Sequence, residues 1–331
     1  MRIAVLAQSW PGPDGSGLAP RAVASVVEAA WLDAVPGSAI AAVPVGDGGP
    51  RSADALAGSR SPVGGVEATE AEGALVLAPA GGAPRWESHA LAAGLLGLAA
   101  EHADARHPRT VVVPVGDEAP AGDAADLWLG GLAQMRAGLA SLDVVAAVSS
   151  SRPLLGLRGM SAAVRDRRES DEALAIAAQR QEERWSAIAR GADPLAASAS
   201  LLSTGRLSDQ PGSGAAGGLA YCLAAAGARL APAGPFLASL AGAERAAADA
   251  AVILAVVPSL EPRTLDEGAV PAASALAAAT GAPCVVLAPR SRIGRRDLMN
   301  AGVASAHEAA AGGDGLADGI ARIAQTWGPR A

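Results

Sequence analysis

The residues of this chain whose types and spacing could do chemistry lie mostly in glycine-rich turns. Asp47 stands in Gly46-Asp47-Gly48-Gly49, directly after the strand-like run Ala39–Val45. A carboxylate there can orient a substrate hydroxyl, hold a metal ion, or simply bond its own turn backbone. Ser9, after the first apolar run, can face an anion or cap the turn before the next helix. A third stretch, Gly212-Ser213-Gly214-Ala215-Ala216-Gly217-Gly218, runs into an apolar helix from Leu219. The N–H groups of such a turn can cradle phosphate oxygens, or its glycines can serve close packing without any ligand. It also fits the Gly-x-Gly-x-x-Gly string of dinucleotide sites. That motif needs a preceding strand and an acid about 20 residues on, whereas here Ser208-Asp209-Gln210-Pro211 is a turn and the first later acid is Glu244. Asp117, Glu118, Asp123 and Asp126 follow another strand, as a metal site or as solvated loop acids.

Other chemistries are excluded by what the chain lacks. All 26 basic residues are Arg. A Walker-type phosphate loop needs a Lys, and so does a Schiff-base or pyridoxal-phosphate enzyme. Wholesale Arg for Lys in an Ala- and Gly-rich chain is the mark of GC-rich coding. The four His are scattered without metal spacing, and His89 alone lies near a motif. Cys222 and Cys284 sit in apolar surroundings and read as reduced core residues.

Positioning such turns requires a scaffold, and the 331-residue chain can supply one: half of it is apolar, with Ala, Val and Leu in place of rings. Short β-branched runs alternate with Ala-rich helical stretches, the pattern of an α/β protein with a mostly parallel sheet. Strands are predicted at 2–7, 39–45, 74–78, 110–115, 142–148, 249–257, 283–288 and 301–305. A helix begins at about Pro20, whose missing N–H costs nothing in a first turn, and buries Val23, Val26, Val27, Ala30 and Trp31. A polar helix is expected at about 161–190, with Leu174, Ala178, Gln181, Trp185 and Ile188 on one face, and a linker at 191–213. A net charge of −7 without a basic stripe argues against nucleic acid as a partner. The N-terminal run is too short for a signal peptide and no run reaches membrane-span length. A soluble cytoplasmic protein without a membrane partner is expected.

Three stretches together resemble the bacterial glycerate kinase family, single-chain enzymes that phosphorylate D-glycerate with ATP. Ile3–Trp10 and Val43-Pro44-Val45-Gly46-Asp47-Gly48-Gly49 stand where the family has Ala-Pro-Asp-Ser-Phe/Tyr-Lys and Val-Pro-Val/Met-Ala-Asp-Gly-Gly-Glu-Gly-Thr. Pro211–Leu219 is similar to its Pro-Gly-Ala-Gly-Ala-Ala-Gly-Gly signature. Gly268-Ala269-Val270-Pro271 stands where the family has Gly-Lys-Val/Thr-Pro. More weakly, Arg152-Pro153-Leu154-Leu155-Gly156 resembles Asn-Pro-Leu-x-Gly. Departures are many: the family's first-strand Asp falls on Gln8, two of its Lys fall on Pro11 and Ala269, and its Glu-Gly-Thr is Pro50-Arg51-Ser52. Its Thr-Gly-Glu-Gly-Arg-x-Asp has become Ala255–Glu261, and its Ser-Ala-Thr-Asn-Asp loop lies in the altered Gly116–Ala124.

The resemblance implies an α/β fold of two domains. A Rossmann- or flavodoxin-like parallel-sheet domain is built from both chain ends (1–60 and 206–331), with a second α/β domain (61–205) inserted and the ligand between them. It implies ATP and Mg²⁺ as cofactors and a small glycerate-like acid and a nucleotide as partners. Asp47 is the implied catalytic residue. Ser9, Gly48, Gly49 and Ser52 are implied for substrate, and Gly212, Gly214, Gly217, Gly218 and Arg263 for nucleotide. Arg51 and Arg290 are further stand-ins for a lost Lys. Metal ligands stay unassigned. The alternative is a catalytically silent homologue that binds a ligand or a partner protein.

Overall fold

A computed structural model describes residues 1–162, 172–197 and 205–328. The chain opens with β1 (Arg2–Ala7), the short β2 (Trp10–Pro11) and β3 (Gly17–Leu18), α1 (Pro20–Ala34) and β4 (Ala39–Pro44). It continues through β5 (Arg60–Val63), β6 (Val66–Ala71), β7 (Ala74–Pro79), α2 (Ser88–Glu101), β8 (Arg109–Pro114), α3 (Leu132–Gly138) and β9 (Leu142–Val148). Next come α4 (Glu172–Ala197), α5 (Leu219–Ala225), β10 (Arg229–Pro232), α6 (Ala233–Leu240), α7 (Ala243–Ala247) and β11 (Val252–Val256). The last elements are α8 (Ala269–Thr280), β12 (Cys284–Ala288), α9 (Arg295–Asn300), β13 (Val303–Glu308) and α10 (Gly313–Trp327).

Two compact units result. The first comprises Met1–Asp47, Asp54–Ala57 and the chain from Ala233 onward; the second comprises Gly48–Ala53 and Gly58–Pro232. In the first, five parallel strands lie in the order β13-β12-β11-β1-β4. Its central strands read as unbroken apolar runs, as strands covered on both faces must: Ile3–Ala7 and Val252–Val256 are buried throughout. Helix α1 turns Val23, Val27 and Trp31 inward, with Pro20 at its start. Helix α10 brings Leu316, Ile320 and Ile323, one helical stripe, into the same core.

The second unit holds a six-stranded sheet in the order β10-β9-β8-β7-β6-β5. Strands β7 to β10 are parallel, while β5 and β6 are antiparallel additions at one edge. The hairpin β5–β6 is not among the predicted strands. Its signal was the pair Gly64-Gly65 between Val63 and Val66, which are paired across a two-residue turn. The core has few rings, and each is anchored. Trp86 Nε1 donates to the Pro114 carbonyl (2.8 Å) and Trp128 Nε1 to that of Cys222 (2.9 Å). Trp185 meets Tyr221 edge to face at 6.1 Å. Burying one such ring is worth about 4–6 kcal/mol on an area basis.

Two expectations are corrected. The first domain does not resume at 206: β10 pairs with β9, so the chain up to Pro232 packs in the second unit. Nor are the described parts of the expected linker at 191–213 a linker; residues 198–204 lie outside the described residues. Helix α4 runs to Ala197, Ser208 is buried, and its hydroxyl donates to Asp193 (2.7 Å), which also accepts from Tyr221 (2.8 Å). Ser and Asp, read as loop formers, here satisfy one another inside the unit. Of the expected helix at 161–190, residues 163–171 lie outside the described residues; on its predicted face Ala178 and Trp185 are buried. Both cysteines are buried and unpaired with each other, and burial pushes the Cys284 thiol up to about 12. Among the described residues no helix is long and apolar enough to cross a membrane.

Candidate functional site

Open parallel sheets bind ligands beyond the carboxyl ends of their strands, so the loops after β1, β4 and β11 are the place to look in the first unit. Gln8 follows β1 directly. Its N–H donates to Val256 (2.9 Å), its Nε2 donates to the Gly46 carbonyl (3.3 Å), and it is 5% exposed. Val45 N–H donates back to Ala7 (2.9 Å), so the ends of β1 and β4 are tied twice. Gly268, ahead of α8, has φ +73°, and a Cβ there would lie 3.1 Å from the Gln8 amide. The amide thus occupies the space that a side chain at 268 would need. Asp47 is exposed one residue beyond the carbonyl that Gln8 holds, and Ser9 is half-buried one residue beyond Gln8.

The Asp47 turn continues in the second unit. Gly48 N–H donates to Ser52 Oγ (2.9 Å), Ser52 N–H donates to Gly49 (2.9 Å), and Gly116 N–H donates to Gly48 (2.8 Å). Ser52, assigned to substrate from the sequence, is buried and its hydroxyl closes the turn. Gly116, at φ +74°, sits against Gly49 and Pro50 so closely that a Cβ would come within 3.1 Å of both. Gly48 and Gly49 are therefore held in place by backbone bonds and packing rather than left as a flexible loop.

The glycine run Gly212–Gly218 does not follow a strand. It enters α5 through three successive left-handed residues, Ala216 (φ 49°), Gly217 (φ 62°) and Gly218 (φ 94°). A Cβ on Gly212 would lie 2.6 Å from Val148, on Gly214 2.4 Å from the Pro153 carbonyl, and on Gly218 2.4 Å from the Trp185 ring. The N–H groups of Ser213, Gly214 and Ala215 donate to Gln210, Arg152 and Gly212, and that of Leu219 donates back to Ala215 and Ala216. Gly212, Gly214 and Gly218 are thus explained by packing on the protein's own chain, the ligand-free use that the sequence left open. Of the four glycines assigned to nucleotide, only Gly217 is partly exposed.

Arg263 lies in the first unit, on a short 3₁₀ turn, Pro262–Leu265, with an ion pair to Glu267 at 3.6 Å. The nucleotide residues expected from sequence therefore divide between the two units. Arg51 donates to the Gly82 carbonyl (2.7 Å). Of the two positions where the resemblance expects Lys, Ala269 is fully buried at the start of α8, and Pro11 is the strand residue whose carbonyl accepts from Gly312 (2.8 Å). Trp10 and Leu260 are both fully buried, Trp10 in the core of its own unit.

The acids after β8 are dispersed rather than convergent. Asp117 accepts from Ser149 Oγ (3.4 Å), Glu118 pairs with Arg85 (2.8 Å), and Asp123 pairs with Arg184 and caps Ala125 (3.0 Å). The Arg184 guanidinium holds the Asp123 carboxyl below the usual carboxylate range, against a smaller opposing effect of burial. Among the described residues no group of three or more His, Cys, Asp or Glu is placed to share a metal. His89 is exposed near the start of α2, 3.3 Å from Glu87.

Comparison with known proteins agrees with this architecture. A solved structure from Salmonella typhimurium LT2, assigned as glycerate kinase 2, matches with a TM-score of 0.61 at 16% identity, over 98% of this chain and 96% of that one. No curated protein matches the sequence significantly. The model of the glycerate kinase family matches residues 122–327, more than half of the chain. The chain belongs to the glycerate kinase family.

Proposed function

We propose that this protein transfers the γ-phosphoryl group of ATP to a hydroxyl of D-glycerate or a similar small hydroxy acid. The reading rests on family membership, and one observation carries it to a site: the Asp47-Gly48-Gly49 turn is kept beyond the carboxyl end of a parallel strand. Its carbonyls and N–H groups are fixed by Gln8, Ser52 and Gly116. Phosphoryl transfer asks little covalent chemistry of the protein; it needs the acceptor oriented and the phosphate charge neutralised. An exposed carboxylate on a rigid turn suits the first task, by accepting a hydroxyl proton or by holding Mg²⁺. Mg²⁺ is ordinarily bound by one or two carboxylates plus substrate phosphates, so dispersed acids are compatible with it. When bound, it would draw charge off the β- and γ-phosphates. Within the first unit, Ser9 would contact the acid and Arg263 the nucleotide.

A second reading, a silent homologue that binds a ligand or partner, is favoured by two observations. The positions of two expected cations are a buried Ala and a strand Pro, and the N–H groups at 213–215 already have acceptors. Incubation with ATP, Mg²⁺ and D-glycerate, following ADP release, separates the two. Turnover that disappears in Asp47→Ala supports the kinase. Absence of both turnover and ATP binding by calorimetry would leave the silent homologue.

A further inference from the structure

Helix α4 carries Arg180 and Arg184 one turn apart, and sequence alone reads them as part of a solvated face. In the second unit they line one wall of a cavity of about 350 Å³, together with Gln181 and Trp185. The rest of the lining comes from residues 119–124 of the loop after β8, Asp123 among them, together with Gly217. The cavity lies within one unit, at the end of the sheet where the chain leaves a parallel strand, the usual ligand position in such folds. Its volume is at the low end of ligand sites, about 300–1,000 Å³, which suits a compact molecule.

The two guanidiniums are held differently. Arg184 pairs with Asp123 and stacks over the Trp185 ring at 5.4 Å. Asp123 therefore offsets its charge, and Asp126, near enough to be felt but not lining the cavity, adds to that. Among the described residues Arg180 makes no hydrogen bond or ion pair. The cavity wall thus carries one guanidinium fixed in place by a ring and a carboxylate, and a second, one helical turn away, whose donors meet no acceptor among the described residues. A guanidinium presents a planar fork of donors that matches a carboxylate or phosphate edge. The Gln181 amide adds a neutral donor.

We infer that this cavity is a binding site for the oxyanion group, carboxylate or phosphate, of a small molecule, with Arg180 as its principal contact. The cavity includes Gly217, which the resemblance implies for nucleotide. The inference therefore rests on the proposed phosphoryl transfer and deepens it by adding Arg180 as an oxyanion contact, while its test requires neither ATP nor Asp47. It is tested by calorimetric titration of the full chain, without nucleotide, at constant ionic strength. The probes are sodium phosphate and sodium D-glycerate, with glycerol as the uncharged control. Saturable binding of either anion, absent for glycerol and weakened at least about tenfold in Arg180→Gln, is the expected result. Phosphate alone would identify a phosphoryl group as the ligand feature, glycerate alone a hydroxy-acid carboxylate, and both a general oxyanion site. Arg180 is exposed and makes no bond among the described residues, so Arg180→Gln should melt as the parent does. No saturable binding, or binding unchanged in that variant, would overturn the inference. Because the titration contains no ATP, it reads separately from loss of turnover in the kinase assay.

Discussion

The two glycine-rich regions of this protein look alike in sequence and work in opposite ways. Around Asp47 the glycines are fixed from outside: Gln8, Ser52 and Gly116 each spend a donor or acceptor on the turn, and the carboxylate is left exposed. Around Gly212–Gly218 the glycines are fixed from within, because Val148, the Pro153 carbonyl and the Trp185 ring fill the space where side chains would be. The first arrangement presents a functional group; the second mostly lets a helix approach its neighbours. A glycine motif alone does not say which of these it is. The distinction lies in whether the run leaves a functional side chain such as Asp47 exposed or is filled by the protein's own packing.

The sharpest way to break that distinction is Gly218→Ala. Its φ of 94° is strained for any residue with a side chain, and the new methyl would overlap Trp185 at 2.4 Å. A loss of about 3 kcal/mol or more is expected in urea unfolding, with little recovery by rearrangement, since Trp185 is also held against Tyr221. A near-neutral result would mean that the run is looser than its packing indicates. Asp47→Asn tests the other region, and there the expectation is reversed. Turnover should fall at least about a hundredfold, equivalent to about 2.7 kcal/mol of barrier, while unfolding stability changes by no more than about 0.5 kcal/mol. A variant that unfolds easily but turns over normally would make Asp47 a turn residue only.

Much of the scaffold was legible from periodicity. The buried strands of the first unit, the inward face of α1 and the Pro20 start all follow from apolar runs and helical spacing. The parts that escaped did so for physical reasons. Strands β5 and β6 carry Arg, Ser, Pro, Glu and Thr because they form an antiparallel edge, where alternation replaces a continuous apolar run. The segment after 191 reads as a linker because Ser and Asp favour loops, yet Asp193, Ser208 and Tyr221 satisfy each other in a cluster that only the tertiary fold assembles. Asp47 could be found from its turn. Gln8 and Arg180 could not: the first gains meaning from the Gly46 carbonyl, 38 residues away, and the second from a loop that precedes it by nearly 60 residues.

Gln8 offers a finer test of how the Asp47 turn is held. Gln8→Ala removes one hydrogen bond to Gly46 and should cost about 1 kcal/mol in urea unfolding. Gln8→Glu keeps the shape but replaces the donor by a carboxyl that can donate only when protonated. Burial beside a carbonyl disfavours its charged form, so its folded pKa should exceed the unfolded one. The variant should then match the parent at low pH and lose stability as pH rises past about 4.3, the unfolded glutamate value. Equal stability of parent and variant across pH 4 to about 8 would show that the Gln8 amide does not hold the turn.

The smallest expected effect lies away from both glycine regions and serves as their control. His307 on β13 is half-buried, its Nε2 is 2.8 Å from Ser305 Oγ, and burial, followed by Arg322, holds its ring below the ordinary histidine value of 6.5. The unfolded chain therefore takes up this proton at a higher pH than the folded one. The stability supplied by the neutral ring is complete above about pH 6.5 and is lost as pH falls through the folded value. His307→Gln keeps a neutral polar group there and removes the titration. Melting temperatures of the two proteins should run together above pH 7 and separate below about pH 6, with the parent falling faster. Parallel curves would mean that Ser305 and Arg322 leave the ring as easily protonated as in the unfolded chain. Because β13 is an edge strand of the first unit, that separation should persist unchanged in Gly218→Ala, whose strain is confined to the second.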